Sequence, residues 1–304
     1  MDLLVTIVPV FMLILTGFLL RRFEFPSKQF WPQVEQLTYY VLFPALLIEK
    51  LGNIYLTGQP VLQMGAAFCG AICCVGAILI LLRPRIQTEG PAFTSIFQGS
   101  IRPNTYIGLS IVDGLFGDLG LSLAAVVMMP SIPLVNVLCV SVLERHGQGH
   151  GKGGIRATVI QLFRNPLILG CLAGFTINAL GIRIPTEINE GLHILGGASL
   201  PLGLLSVGAG LSFRAALNGK RDIIISSVFR LLMLPAFAFT IATLLGVTGT
   251  PLVVTLVFAA IPVSVSSFIL ARVLGGDHDL MAAIITVQTM LSALTMPVVL
   301  WFAV

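Results

Sequence analysis

Apolar stretches recur along the whole of this chain, each close to the length of around 20 residues that a helix needs to cross a hydrocarbon layer of about 30 Å. Ten of them fall at approximately 3–20, 34–51, 61–82, 92–115, 119–143, 157–180, 188–211, 223–245, 252–273 and 280–303, joined by short connections. Backbone at membrane depth must satisfy its own hydrogen bonds, so stretches of this length read as helices. Composition excludes the soluble alternative: hydrophobic residues are 56% and charged residues 10% of the 304, against roughly 25% charged in an ordinary soluble domain. The mean hydropathy is +0.99. The expectation is an all-α integral membrane protein with no segment left for a folded soluble domain. The first stretch lacks a basic leader and a small-residue cleavage site and runs into Arg21 and Arg22, so it reads as a retained span. Cys69, Cys73, Cys74, Cys139 and Cys171 all lie inside apolar segments and read as packing residues, without disulfides.

Basic residues set the orientation, because Lys and Arg near span ends stay in the cytoplasm. With ten spans, Arg21, Arg22, Lys28, Arg83, Arg85, Arg145, Lys152, Arg156, Arg214, Lys220 and Arg221 share one side, and Lys50 and Arg183 the other. That bias places both termini outside a plasma or bacterial inner membrane and the central loop inside. The loop, rich in glycine and carrying His146 and His150, reads as a hydrated linker without a metal.

Landmarks repeat across that linker. Pro9 and Pro166, Pro44 and Pro201, and Gly17 and Gly174 are each 157 residues apart, and Pro26 and Pro185, Pro103 and Pro262, and Asp118 and Asp277 are each 159 apart. Each pair holds the same place relative to its own span. The chain therefore divides into 1–143, a linker at 144–156, and 157–304, five spans on each side. An odd number of spans inverts the second half in the membrane, giving the 5+5 inverted repeat common among secondary transporters.

Two spans are broken at matching places, one by Arg102-Pro103-Asn104-Thr105 and the other by Ile261-Pro262-Val263-Ser264. Proline removes one donor and clashes with the carbonyl four residues earlier, freeing the C=O groups of Gly99 and Phe258. Each break also begins a new helix whose first N–H groups, those of Asn104, Thr105, Val263 and Ser264, are expected to lie free for an anion. Arg102 is expensive inside a span, by about 2.5–3.5 kcal/mol, and is a candidate for substrate binding or gating. Its alternative role is as a partner for Asp113 or for a free carbonyl. Arg230 and Arg272 are weaker candidates, as pathway lining or as structural and snorkelling residues. Asn136, Thr286, Gln288, Ser292 and Thr295 read as bonds between helices, and Asp118 and Asp277 as caps.

The segment at 93–117 with its Arg-Pro-Asn-Thr-Tyr-Ile-Gly-Leu core, Arg164-Asn165-Pro166-Leu167, the Gly-Gly-Ala-Ser-Leu-Pro-Leu-Gly-Leu run at 196–204, and Ile261-Pro262-Val263-Ser264 through Gly275-Gly276-Asp277 resemble the auxin efflux carrier family. That family includes plant PIN-type auxin carriers and bacterial permeases associated with malonate or malate. The resemblance implies a fold like that of bile-acid/sodium symporters. Spans 1, 2, 6 and 7 would form a scaffold, and spans 3–5 and 8–10 a transport domain whose fourth and ninth spans cross at Pro103 and Pro262. It also implies a substrate-contacting Asn104, a backbone donor at Val263 and a homodimer built through spans 2 and 7. This chain has no long hydrophilic central loop of the plant kind, so auxin is not the expected substrate.

The expected function is a secondary active or potential-driven carrier of a small mono- or dicarboxylate, working by alternating access. The substrate site is expected at Asn104, Arg102, Thr105, Val263 and Ser264. Coupling is open between sodium at the Gly99 and Phe258 carbonyls, a proton on Asp113, and the membrane potential alone. An anion channel or a ligand-sensing receptor using the same cavity is the alternative. No histidine–acid array or nucleotide-binding loop points to an enzyme or a pump, no bound cofactor is expected, and the expected partners are the lipid bilayer and the carboxylate rather than a nucleic acid.

Overall fold

The structure, a computed structural model, describes residues 3–27, 29–53, 58–148, 165–213 and 220–301. Most of the linker and Arg164 lie outside these residues. The described residues are almost wholly helical: α1 (Leu3–Arg22), α2 (Phe30–Leu37), α3 (Phe43–Gly52), α4 (Val61–Ile86), α5 (Gly90–Ile101), α6 (Thr105–His146), α7 (Pro166–Ala179), α8 (Thr186–Ala209), α9 (Lys220–Val228), α10 (Leu234–Leu244), α11 (Gly249–Ala260), α12 (Ser266–Leu274) and α13 (His278–Trp301).

Six helical runs among them are long and apolar enough to cross a membrane: Val5–Arg22, Val61–Ile86, Thr105–His146, Thr186–Ala209, Lys220–Leu244 and His278–Trp301. Several expected spans are interrupted, each for a local reason. Between α2 and α3 the chain makes a π turn, Thr38–Leu42, and between α9 and α10 another, Phe229–Met233. Pro44 and Pro235 follow just behind these turns. A wider turn accommodates a residue that cannot donate to the carbonyl four positions back. The 42-residue α6 is two helices joined at Gly117, whose φ of 55° and ψ of −137° suit glycine and almost nothing else. Expected spans four and five meet at that hinge.

The helices pack in two groups. α1 lies along α8, and α3 lies along α7 and α8. The second group comprises α4, α5, α6 and α9 to α13, with α6 touching α1, α3, α7 and α8 across the boundary. Glycines let the backbones of the first group approach closely: a Cβ on Gly17 would strike the Leu205 backbone, and one on Gly208 the Ile14 backbone. Gly170, Gly174 and Gly196 similarly face the backbone of α3 at Pro44, Leu47 and Leu46. Lipid offers little hydrophobic drive for helix association, so such close packing supplies much of the attraction. The second group is filled by large side chains, with Phe68, Phe93, Phe97 and Phe258 fully buried.

Helix starts follow local chemistry. The Asn165 side chain caps α7, accepting from the amides of Leu167 at 3.0 Å and Ile168 at 3.4 Å, with Pro166 in the first helical position. Asp277 caps α13 by accepting from Leu280 N–H at 2.9 Å, as its place after a glycine pair suggests.

Candidate functional site

The residue before a proline is driven towards extended conformations, and Arg102 (φ −88°, ψ 109°) and Ile261 (φ −66°, ψ 154°) both obey. The α5 and α11 half-helices, 12 residues each, therefore end in short extended segments. These two segments meet as an antiparallel bridge, with Pro103 opposite Val263. Asn104 N–H donates to the Pro262 carbonyl at 2.9 Å, and Ser264 N–H to the Arg102 carbonyl at 3.1 Å. Extended backbone at membrane depth needs such partners, and each break supplies the other's.

That pairing corrects one expectation. The N–H groups of Asn104 and Ser264 are not free for an anion, because the opposite break holds them. Val263 N–H is held too, donating to Gln288 Oε1 at 3.0 Å. The first-turn amides of Thr105 and Tyr106 are the ones at the α6 start with no protein acceptor among the described residues. Asn104 itself is buried, 1% exposed. Its Oδ1 caps α6 by accepting from Ile107 N–H at 3.4 Å, and its Nδ2 reaches the Val263 carbonyl at 3.5 Å. Asn104 thus braces the crossing from behind the cavity wall.

The freed carbonyls are also engaged. Arg230 lies wholly inside the protein and donates from Nε to Ile261 O at 2.7 Å, from Nη1 to Ile101 O at 3.3 Å and from Nη2 to Phe258 O at 3.0 Å. One guanidinium thereby caps the carbonyl ends of both half-helices, where the helix dipoles are negative. The Gly99 carbonyl accepts from Gln288 Nε2 at 3.1 Å. At the Gly99 and Phe258 carbonyls, one of the three coupling routes left open by the sequence, each oxygen accepts from a side-chain donor. Asp113 stands apart from the crossing, in the electrostatic neighbourhood of Lys50 and Asp118.

That neighbourhood is a charged cluster at the end of the bundle where α3 stops and α8 begins. Lys50 Nζ lies 2.8 Å from Asp118 Oδ1 and 3.1 Å from Glu49 Oε2, and His193 Nδ1 is 3.7 Å from Glu49 Oε1. Asn53 bonds Asn189 beside it at 2.8 Å. The Asp118 side chain, expected as a cap, joins the two helix groups instead.

Towards the other end, where α1 and α12 stop and α2 and α7 begin, a cavity of about 490 Å³ opens against the crossing. Its polar wall combines Arg102, Thr105, Ser264 and Ser266 with Asn136 and Asn165. Ile132, Val135, Ile269, Leu270 and Val273 supply apolar lining, and α2 and its π turn contribute Glu35, Tyr39 and Tyr40, with Tyr106 of α6 alongside. Arg102 Nη1 is buried with no hydrogen-bond partner. Among the described residues no ion pair joins Arg102 to Asp113; the guanidinium lies against the buried Cys139 thiol instead.

Of the sequence candidates, the cavity brings together Arg102, Pro103, Thr105 and Ser264, while Asn104, Val263, Pro262, Gly99 and Phe258 form the brace behind them and Asp113 is elsewhere. Sequence reasoning missed Glu35, in the amphipathic α2, and Tyr39, in the π turn that follows it. An acid at position 35, early in an apolar span, was the available signal. Arg230 was noticed but not placed, since nothing local says that it reaches three carbonyls on two other helices.

Residues 155–300 match the family described as membrane transport protein. The chain is 26% identical over 302 residues to an uncharacterized transporter of Methanocaldococcus jannaschii, covering 96% of this chain and 95% of that one. It is 25% identical over 302 residues to an uncharacterized transporter of Methanothermobacter thermautotrophicus, covering 98% and 97%.

Proposed function

We propose that this chain, a membrane transport protein by the match over its second half and its end-to-end likeness to two transporters, carries a small organic mono- or dicarboxylate across the cell membrane by alternating access. The observation that carries this reading is Arg102, a cation that lines the cavity at the crossing and has no carboxylate partner among the described residues. A substrate carboxylate is the natural acceptor for such a guanidinium, with charge-assisted hydrogen bonds. The unpaired amides of Thr105 and Tyr106 at the start of α6, and the hydroxyls of Thr105, Ser264 and Ser266, add donors around the same spot. The positive end of the α6 dipole favours an anion there.

The position of the cavity at one end of the bundle supports alternating access. By the distribution of basic residues, the cavity end faces the cytoplasm and the Lys50–Asp118 cluster the exterior, so this conformation is an inward-open one closed outside by ion pairs. The α1–α3–α7–α8 group would be the scaffold, and the group holding the crossing would move as the transport body.

Counterflow in proteoliposomes with a panel including pyruvate, malonate and malate tests the reading. Saturable exchange of at least one acid is expected, with Arg102→Ala reducing it more than tenfold at normal membrane insertion. Transport at wild-type rates by Arg102→Ala would sink the site assignment, and absence of exchange with every acid would sink the carrier.

A further inference from the structure

Charge is scarce on the cavity wall. Among the described residues that line it, Arg102 is the one cation and Glu35 the one acid. A substrate with two carboxylates would seat one on Arg102 and leave the other without a cation, in a space that already holds an acid. The rest of the polar wall is neutral, and much of it is engaged. Asn165 Oδ1 caps α7, and the Ser264 and Ser266 hydroxyls bond each other at 2.9 Å. Gln36 is exposed on α2. Asn136 differs: it is half-buried on the second half of α6, lines the cavity, and makes no side-chain hydrogen bond among the described residues. The bond between helices expected of it from the sequence is not formed there.

Helix geometry places this amide near the guanidinium. Residues 132, 135, 136 and 139 share one face of α6. Ile132, Val135 and Asn136 line the cavity, and Cys139, at the next turn, is buried against Arg102. A spacing of three residues sets Cβ atoms about 5–6 Å apart, so Asn136 stands within a small molecule's length of a carboxylate bound at Arg102. Resting on the carboxylate-carrier reading, we propose that Asn136 is a specificity-determining residue that reads an uncharged oxygen beside the carboxylate, so that the cargo is a 2-hydroxy or 2-oxo monocarboxylate rather than a dicarboxylate. Its Nδ2 donates to either kind of oxygen, and its Oδ1 accepts from a hydroxyl. Both contacts belong to the same helix group: Arg102 ends α5, Asn136 sits on α6, and these helices pack together. The cargo is then held by the same two side chains wherever that group moves.

Four acids of equal carbon number isolate the effect: lactate carries the 2-hydroxyl, pyruvate the 2-oxo group, propionate neither, and malonate a second carboxylate. Each is supplied as the [14C]acid at subsaturating concentration in proteoliposome counterflow, with protein-free vesicles as the control for passive entry. For the wild type, lactate or pyruvate should be preferred about fivefold or more over both propionate and malonate, the worth of one net hydrogen bond. Asn136→Leu should bring that acid down to the propionate rate while leaving propionate itself unmoved, a split that a general packing defect would not produce. If Asn136→Leu fails to insert, Asn136→Ala reads the same ratio. Propionate or malonate exchanged as well as lactate and pyruvate by the wild type, or a variant that keeps the wild-type ratio, overturns the assignment and leaves the carrier standing. No counterflow of any of the four acids, nor of malate, overturns both.

Discussion

Two arginines at the crossing carry the same charge and do opposite things. Arg230 spends its donors on three protein carbonyls, whereas Arg102 keeps a buried one unspent. Charge-assisted hydrogen bonds are worth about 1.5–3 kcal/mol each, so Arg230→Met, which leaves three carbonyls unpaired, should lower the thermal unfolding midpoint in detergent markedly and cost on the order of 3 kcal/mol or more. Arg102→Ala should leave that midpoint near wild type and abolish transport. Asn104→Ala is expected to do both in part: loss of its helix cap costs about 1 kcal/mol, and a loosened crossing slows counterflow. A variant that transports normally with an unchanged midpoint would argue against the bracing role. Arg102 was legible in the sequence because a charge within a span stands out without any neighbour. The Asn104 role was not, because a polar residue beside a break reads equally well as facing ligand or facing helix. The hydrogen bonds to Ile107 and Val263 decide it, and Val263 is 159 residues away.

At the scale of elements, the breaks were visible because proline acts locally. Pro103 and Pro262 end their half-helices where the steric rule says they should, and the hinge in α6 falls at Gly117, between the expected fourth and fifth spans. The π turns before Pro44 and Pro235 were not foreseen, since a hydropathy pattern counts apolar residues and is blind to one extra residue in a turn. The pairing of the two breaks was invisible for a different reason: which backbone a free N–H meets is set by the tertiary packing of α5, α6, α11 and α12. Pro103→Ala should let α5 continue into α6 and remove the extended backbone that holds Ser264, so turnover should fall more than protein abundance. Initial rates measured against abundance on immunoblots check this, and normal rates at normal abundance would refute it. Close packing of α1 against α8 gives a second check: Gly208→Leu has no room against the Ile14 backbone, so it should reduce folded yield sharply in size-exclusion chromatography, whereas the same change at Gly191, where the structure has open space, should not.

For the whole molecule, the cavity opens towards one end and the charged cluster sits at the other, the arrangement that the proposed alternating-access cycle calls for. Lys50, on α3, and Asp118, just beyond the α6 hinge, tie the two helix groups together where the cavity is absent. If that tie keeps the outer side shut, Asp118→Asn should shift the population towards outward-open forms. A Thr105→Cys reporter, in the cavity wall, would then label faster with an impermeant thiol reagent applied from the cluster side. Unchanged labelling from that side would remove the cluster from the cycle. Charge reversal at Lys50 or Asp118 alone should impair counterflow, and exchanging the two residues should restore much of it.

The Pro103–Val263 bridge has a last consequence, for length rather than chemistry. A sheet guards its register with many rungs, but here one rung and two flanking hydrogen bonds fix how the halves of the protein align. Slipping the first segment by one residue would carry Pro103, which has no N–H, into the place of Asn104 as donor, and slipping the second would pull Val263 N–H away from Gln288. An insertion of a single residue at either break should therefore be less tolerated than most substitutions there, because it changes which atoms meet while leaving composition and hydropathy almost untouched.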